Sequence, residues 1–258
     1  MKSVLLVLVF AALLAAAAVY FLPGPIEAVF RYAFHDELTE IVEPPPVPDS
    51  EMYETLKTSL ADWRERLAAD YSAARGEAAR LEVLADARVV LEHILPGMML
   101  CWLGTPWDFD GIAGGPGEDG IACGYFVSTV LRDAGFRVHR YHLAQQPSGN
   151  ILRTFLPRVS CKLTVGMDYD VFADTLEQAD PGIYIVGLDT HVGFIVVREG
   201  GFRFIHSSGS RPWAVVDESR AEASVLANSN WRMLGHLTAD NEVLRKWLAG
   251  TGFPVHGR

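Results

Sequence analysis

Residues 120–136 read GIACGYFVSTVLRDAGF, a cysteine set directly before an apolar run with helical spacing. From Cys123 onward Phe126, Val127, Val130, Leu131 and Ala134 recur at three- and four-residue steps, and Gly135 supplies a stop, which predicts an amphipathic helix. Cys123 then falls at the helix start, where unpaired N–H groups and the positive end of the dipole favour thiolate over thiol. A cysteine in this setting is either a nucleophile or a small buried hydrophobe, and the helix alone does not decide between them.

A second stretch bears on that choice. Residues 181–207, PGIYIVGLDTHVGFIVVREGGFRFIHS, hold short alternating runs at Ile183 to Val186 and Val192 to Val197, with a third at Phe202 to Ile205 after the turn Glu199-Gly200-Gly201. This predicts a β-meander in which His191 opens one strand and His206 closes the next, so that both rings sit near one end of a hairpin. Thiol chemistry on an amide needs a nucleophile, an imidazole to take its proton and a polar group to fix that imidazole's tautomer. Cys123, His191 and His206 supply the three.

These residues stand in an order that resembles the NlpC-type cell-wall peptidases, a bacterial branch of the papain-like cysteine peptidases. The family pattern runs LGTPY, a glycine-rich stretch, DCSGFV, PGDLVFF, HVGIY and a strand ending FIHA. Its counterparts here are Leu103-Gly104-Thr105-Pro106-Trp107, the glycine-rich stretch Gly111 to Gly120, Ala122-Cys123-Gly124-Tyr125-Phe126-Val127, Pro181-Gly182-Ile183-Tyr184, His191-Val192-Gly193-Phe194 and Phe204-Ile205-His206-Ser207. The likeness spans roughly residues 96–210 and rests on order and spacing more than on any one motif.

The resemblance implies an α+β papain-like fold, with the Cys123 helix packed on an antiparallel sheet. It also implies Cys123 as nucleophile, His191 as general base and His206 as the orienting residue, with no cofactor. Three departures follow from the same comparison. Ala122 and Gly124 replace two polar groups that in some members hold the free amine of a muropeptide, which disfavours a recycling-type substrate. Trp107 replaces a tyrosine; its indole N–H can donate to an oxyanion hole formed mainly by the Cys123 N–H, but it cannot accept. The stretch from His139 to Ala179 is longer than the usual link and reads as an insertion that shapes the cleft.

The start of the chain indicates a compartment. Val4 to Leu22 is uninterrupted apolar sequence after Lys2, closed by Pro23-Gly24-Pro25, which predicts a signal peptide or a transmembrane anchor over residues 1–25. Small residues at Ala15 to Ala18 leave cleavage open, and Lys2 favours the side expected to stay inside. A proline-rich linker over 26–49 follows, stiffened by Glu43-Pro44-Pro45-Pro46-Val47-Pro48. Residues 50–95 read as a helical extension and 96–258 as the peptidase domain. Its two helices, Ser50 to Asp70 and Gly76 to His93, are given apolar faces at Leu56, Leu60, Trp63 and Leu67 and at Leu81, Leu84, Val89, Val90 and Ile94.

With 258 residues and a formal charge of −10, the chain can bury one full core and carries no Lys/Arg cluster, which argues against nucleic acid as a partner. The expected partners are peptidoglycan peptides, with the membrane engaged through the N-terminal segment and the domain outside the cytoplasm. His139 and His142 form an H-x-x-H without the glutamate of zinc peptidases, so no metal site is expected. Ser207, Ser208 and Ser210 read as a turn, Ser128 lies inside the helix, and His236 sits in a closing strand, WRMLGHL. Cys101 and Cys161 are either a disulfide pair or two separate thiols. Two other functional classes stay open: a binding module that holds wall peptides without cleaving them, and an acyltransferase or thioesterase on the same fold.

Overall fold

The alternating run after Pro181 becomes the middle of a sheet whose two faces are both covered. The computed structural model describes residues 45–257, so the apolar segment 4–22 and the linker up to residue 44 lie outside the described residues. Within them the chain is α+β, with eight helices and one six-stranded antiparallel sheet. Gly182–Leu188 (β2) is buried along its whole length, and Val192–Arg198 (β3) along all but its last residue. Gly201–Ser207 (β4) and Val215–Glu218 (β5) extend the meander. On the other side of β2 lies Trp231–His236 (β6), and beyond it Cys161–Val165 (β1), giving the order β1-β6-β2-β3-β4-β5.

Alternation sorts the strands' side chains onto two cores. Ile183, Ile185, Val192, Phe194, Val196 and Ile205 join the larger core with the helices Ser50–Ala73 (α1), Glu77–Leu100 (α2) and Cys123–Asp133 (α3). Tyr184, Val186, Ile195, Val197, Phe202 and Phe204 face a smaller core under Tyr169–Glu177 (α6) and Ser224–Ala227 (α7). This second cover explains why β2 and β3 read as nearly unbroken apolar runs instead of polar-alternating ones. The stretch from His139 to Ala179 contributes Arg140–Ala144 (α4), Ser148–Phe155 (α5), β1 and α6.

The helical hairpin shares the larger core instead of standing apart. Tyr53 of α1 meets Trp102 edge-on at 5.6 Å, Trp102 meets Phe126 of α3 at 5.9 Å, and Phe126 meets Phe194 of β3 at 5.9 Å. Each such pair contributes roughly 0.5–1.5 kcal/mol beyond area burial, and the run of rings clamps α3 between hairpin and sheet. Two expectations are corrected here. α2 continues to Leu100 through Pro96, because Leu95, Met98 and Met99 are fully buried and their packing outweighs the lost backbone bond. Its buried stripe is Leu84, Ala87, Leu91, Leu95 and Met98, while Leu81 and Val89 are exposed, as is Trp63 on α1.

The C-terminal helix Asn241–Ala249 (α8), capped by Asp240 and ended by left-handed Gly250, was not anticipated; its Trp247 is fully buried and donates to the Ala134 carbonyl at 2.7 Å. The end of the linker is seated rather than free, since the Asp49 N–H donates to the Cys101 carbonyl at 2.9 Å. The Asp49 side chain also caps α1 by accepting from the Met52 N–H at 2.8 Å. Among the described residues no helix is long and apolar enough to cross a membrane.

Candidate active site

Cys123 is the first residue of α3, as its spacing predicts, and Ala122 before it offers no side-chain cap. The first intrahelical bond runs from the Phe126 N–H to the Ala122 carbonyl, so the Cys123 and Gly124 N–H groups stand ahead of the helical ladder. Arg140 fastens the middle of α3 to the loop before it. Almost fully buried, it donates to Thr129 Oγ1 at 2.6 Å and to the carbonyls of Ile112 and Ala113 at 2.8 and 2.6 Å.

The structure accounts for Gly124, where the family pattern has a serine. A Cβ at this position would lie 2.4 Å from the Ala144 carbonyl oxygen at the end of α4. The end of α4 therefore occupies the space of that side chain. Gly124→Ser is expected to destabilise the fold by about 1–3 kcal/mol, an overpacking cost, which thermal or urea unfolding would measure.

His191 and His206 meet as the meander predicts. His191 Nε2 lies 2.7 Å from His206 Nδ1, and the rings stand nearly perpendicular with centroids 4.8 Å apart. Gly193 makes room for this, because a Cβ there would fall 2.8 Å from His206 Cβ and 2.7 Å from the Phe204 ring. The His206 ring stacks on Phe204 at 4.0 Å and is wholly buried.

A fourth residue was missed in the sequence. Glu218 Oε2 lies 3.0 Å from His206 Nε2, which makes a continuous run Glu218, His206, His191. β5 pairs Phe204 with Glu218 and His206 with Val216, so the glutamate sits diagonally across from the histidine on the same face. The available signal was the short run Val215-Val216-Asp217-Glu218, a β-branched pair ending in a carboxylate one turn of chain beyond the meander.

Electrostatics hold the histidines neutral. Burial pushes the His191 imidazole well below its ordinary range, helped by neighbouring His206, and burial does the same to His206. Burial raises the Glu218 carboxyl to about 7, with Glu222 and Asp217 adding to the rise and Arg203 opposing it. The Cys123 thiol is also pushed up by burial, although the N–H groups of Val192, Gly124 and Cys123 pull the other way. The helix-start expectation of a depressed thiol is thus reversed in net, because desolvation outweighs the local dipoles. Thiol and imidazole rest neutral.

Cys123 and His191 line one cleft of about 580 Å³, whose far wall is the first turn of α5 together with Trp231 and Met233 of β6. The Cys123 sulfur is close enough to β3 to receive the N–H of Val192, the residue after His191. Trp107 packs its ring on Trp213 at 5.5 Å and bridges Ile121, two residues before Cys123, but it is not among the residues lining this cleft. Cys101, Cys123 and Cys161 are all free thiols. His236 stacks on Tyr184 at 3.9 Å, and His139 caps α4 through the His142 N–H at 3.2 Å.

No protein-family model, no curated protein and no solved structure matches the chain.

Proposed function

We propose that the chain is a papain-like cysteine hydrolase of the NlpC type that cleaves amide bonds in peptidoglycan stem peptides. One observation carries this reading: the hydrogen-bonded run from Glu218 through His206 to His191, which ends in the cleft that Cys123 lines. An ionised Glu218 accepts from His206 Nε2–H. His206 Nδ1 then accepts from His191 Nε2–H, which leaves the lone pair of His191 Nδ1 as the ring's basic position.

His191 takes the Sγ proton as the thiolate attacks the carbonyl carbon, and the Cys123 N–H stabilises the oxyanion. The proton passes from His191 to the departing amine as the C–N bond breaks. Water, deprotonated by His191, then attacks the thioester carbonyl; the C–S bond breaks, the acyl group leaves as a carboxylate-bearing product, and His191 returns its proton to Sγ. The scheme needs no donor from Trp107, whose ring packs on Trp213. The peptide substrate is supported by the motif order over residues 103–107, 122–127, 191–194 and 204–207. An extracytoplasmic location is supported by the apolar segment 4–22, which lies outside the described residues.

Incubation with purified peptidoglycan, followed by mass spectrometry of the soluble fraction, tests the reading. Stem-peptide fragments are expected from the protein and none from its Cys123→Ala variant. Retention of peptide without release would assign a binding module instead, and an acylated acceptor would assign a transferase.

A further inference from the structure

Arg153 on α5 lines the same cleft as Cys123 and His191, and among the described residues no side chain pairs with its charge. Its Nε is buried and without a hydrogen-bond partner among the described residues, and its guanidinium takes part in no ion pair there. Arg153 as a whole is half-buried, and the two buried arginines are treated differently. Arg140 makes three bonds to acceptors at 2.6–2.8 Å. Arg232 makes three to the carbonyls of Leu226, Met167 and Ala227 at 2.8–3.0 Å. A buried guanidinium N–H left without an acceptor costs free energy that folding normally avoids.

The neighbouring acid does not relieve it. Asp189 also lines the cleft, but its carboxylate already accepts from Ser229 Oγ at 2.9 Å and from the N–H groups of Asn230 and Trp231 at 2.7 and 3.3 Å. Those donors hold its carboxyl below the usual range and commit it to its own loop. The titratable group that feels Arg153 is Cys161, a thiol raised by burial and therefore no counter-ion. Ser148 and Gly149, at the start of the same helix, also line the cleft, and the N-cap Pro147 offers no side-chain bond. Arg153 lies four residues beyond Gly149, about 6 Å further along the helix.

We infer that Arg153 is the anion-recognising end of this cleft and seats a carboxylate of the bound peptide. The planar guanidinium suits a carboxylate, which it can grip with two parallel N–H bonds. The inference rests on the peptide-hydrolase reading for the identity of the ligand, and it makes an acidic peptide the preferred substrate.

Binding to the Cys123→Ala protein, which cannot turn over, separates the two. A stem tetrapeptide with free carboxylates and the same peptide with its carboxylates amidated are titrated by calorimetry. The acidic peptide is expected to bind about tenfold tighter. That preference falls to about one when Arg153→Gln is added, and is kept in part with Arg153→Lys. Equal affinities in the Cys123→Ala protein, a preference that survives Arg153→Gln, or no binding of either peptide would overturn the inference. If Arg153→Gln does not fold by circular dichroism, the peptide pair and the lysine variant still decide. Because no hydrolysis is read, a protein that binds acidic peptide but cleaves nothing would refute the catalytic reading alone.

Discussion

Replacing His191 by alanine lowers kcat by about four orders of magnitude, while His206→Gln leaves a measurable remnant. The difference follows from position. His191 lines the cleft with Cys123, whereas His206 is wholly buried and reaches the reaction only through its 2.7 Å contact with His191. Because burial holds the Cys123 thiol protonated, no pre-formed thiolate can substitute for the missing base. Steady-state rates on released stem peptides check the order of the two effects. Full activity in His191→Ala would sink the assigned roles.

Glu218→Gln lowers kcat about ten- to a hundredfold near pH 8 and removes the acidic limb of the pH profile. The sign follows from the hydrogen bonds. An ionised Glu218 can only accept, so it requires the proton on His206 Nε2 and leaves His191 Nδ1 bare. A protonated Glu218 donates to His206 Nε2 instead, which turns both tautomers over and puts a proton on His191 Nδ1. Activity is therefore present above the Glu218 pKa and lost as pH falls through it. With that carboxyl raised to about 7, the limb lies near neutrality and not in the ordinary carboxylate range. Glutamine cannot titrate, so a limb that persists unchanged in Glu218→Gln belongs to another group. His206, Arg203, Asp217 and Glu222 are the neighbours that set where it falls.

Much of this site was legible because its parts are local. A helix beginning at Cys123 and a hairpin joining His191 to His206 are both written in short-range periodicity, and each lies where its spacing puts it. Glu218 was not legible, since it enters through a strand register that no local pattern sets. Gly124 looked like a lost polar group. Its cause is a carbonyl of α4, a contact distant in the chain. Trp107 kept its place in the motif order but packs on Trp213, which sits beside a cis peptide at Arg211-Pro212 that sequence does not announce. On α2, helical periodicity located the element while the exact stripe was misassigned. Leu81 and Val89 are as apolar as their buried neighbours, and only tertiary packing chooses between them.

The strand order has a temporal side. β2 to β5 follow one another in the chain and pair as neighbours, so the hairpins carrying His191, His206 and Glu218 can close as soon as they are made. β6 comes near the end of the chain yet lies between β1 and β2. Until it arrives, β1 has no partner and the cleft lacks Trp231 and Met233. A chain emerging from a ribosome would thus carry the run Glu218, His206, His191 beside a cleft that still lacks one wall. The sheet, and with it the cleft, is completed only when the chain has been made to within some twenty residues of its described end.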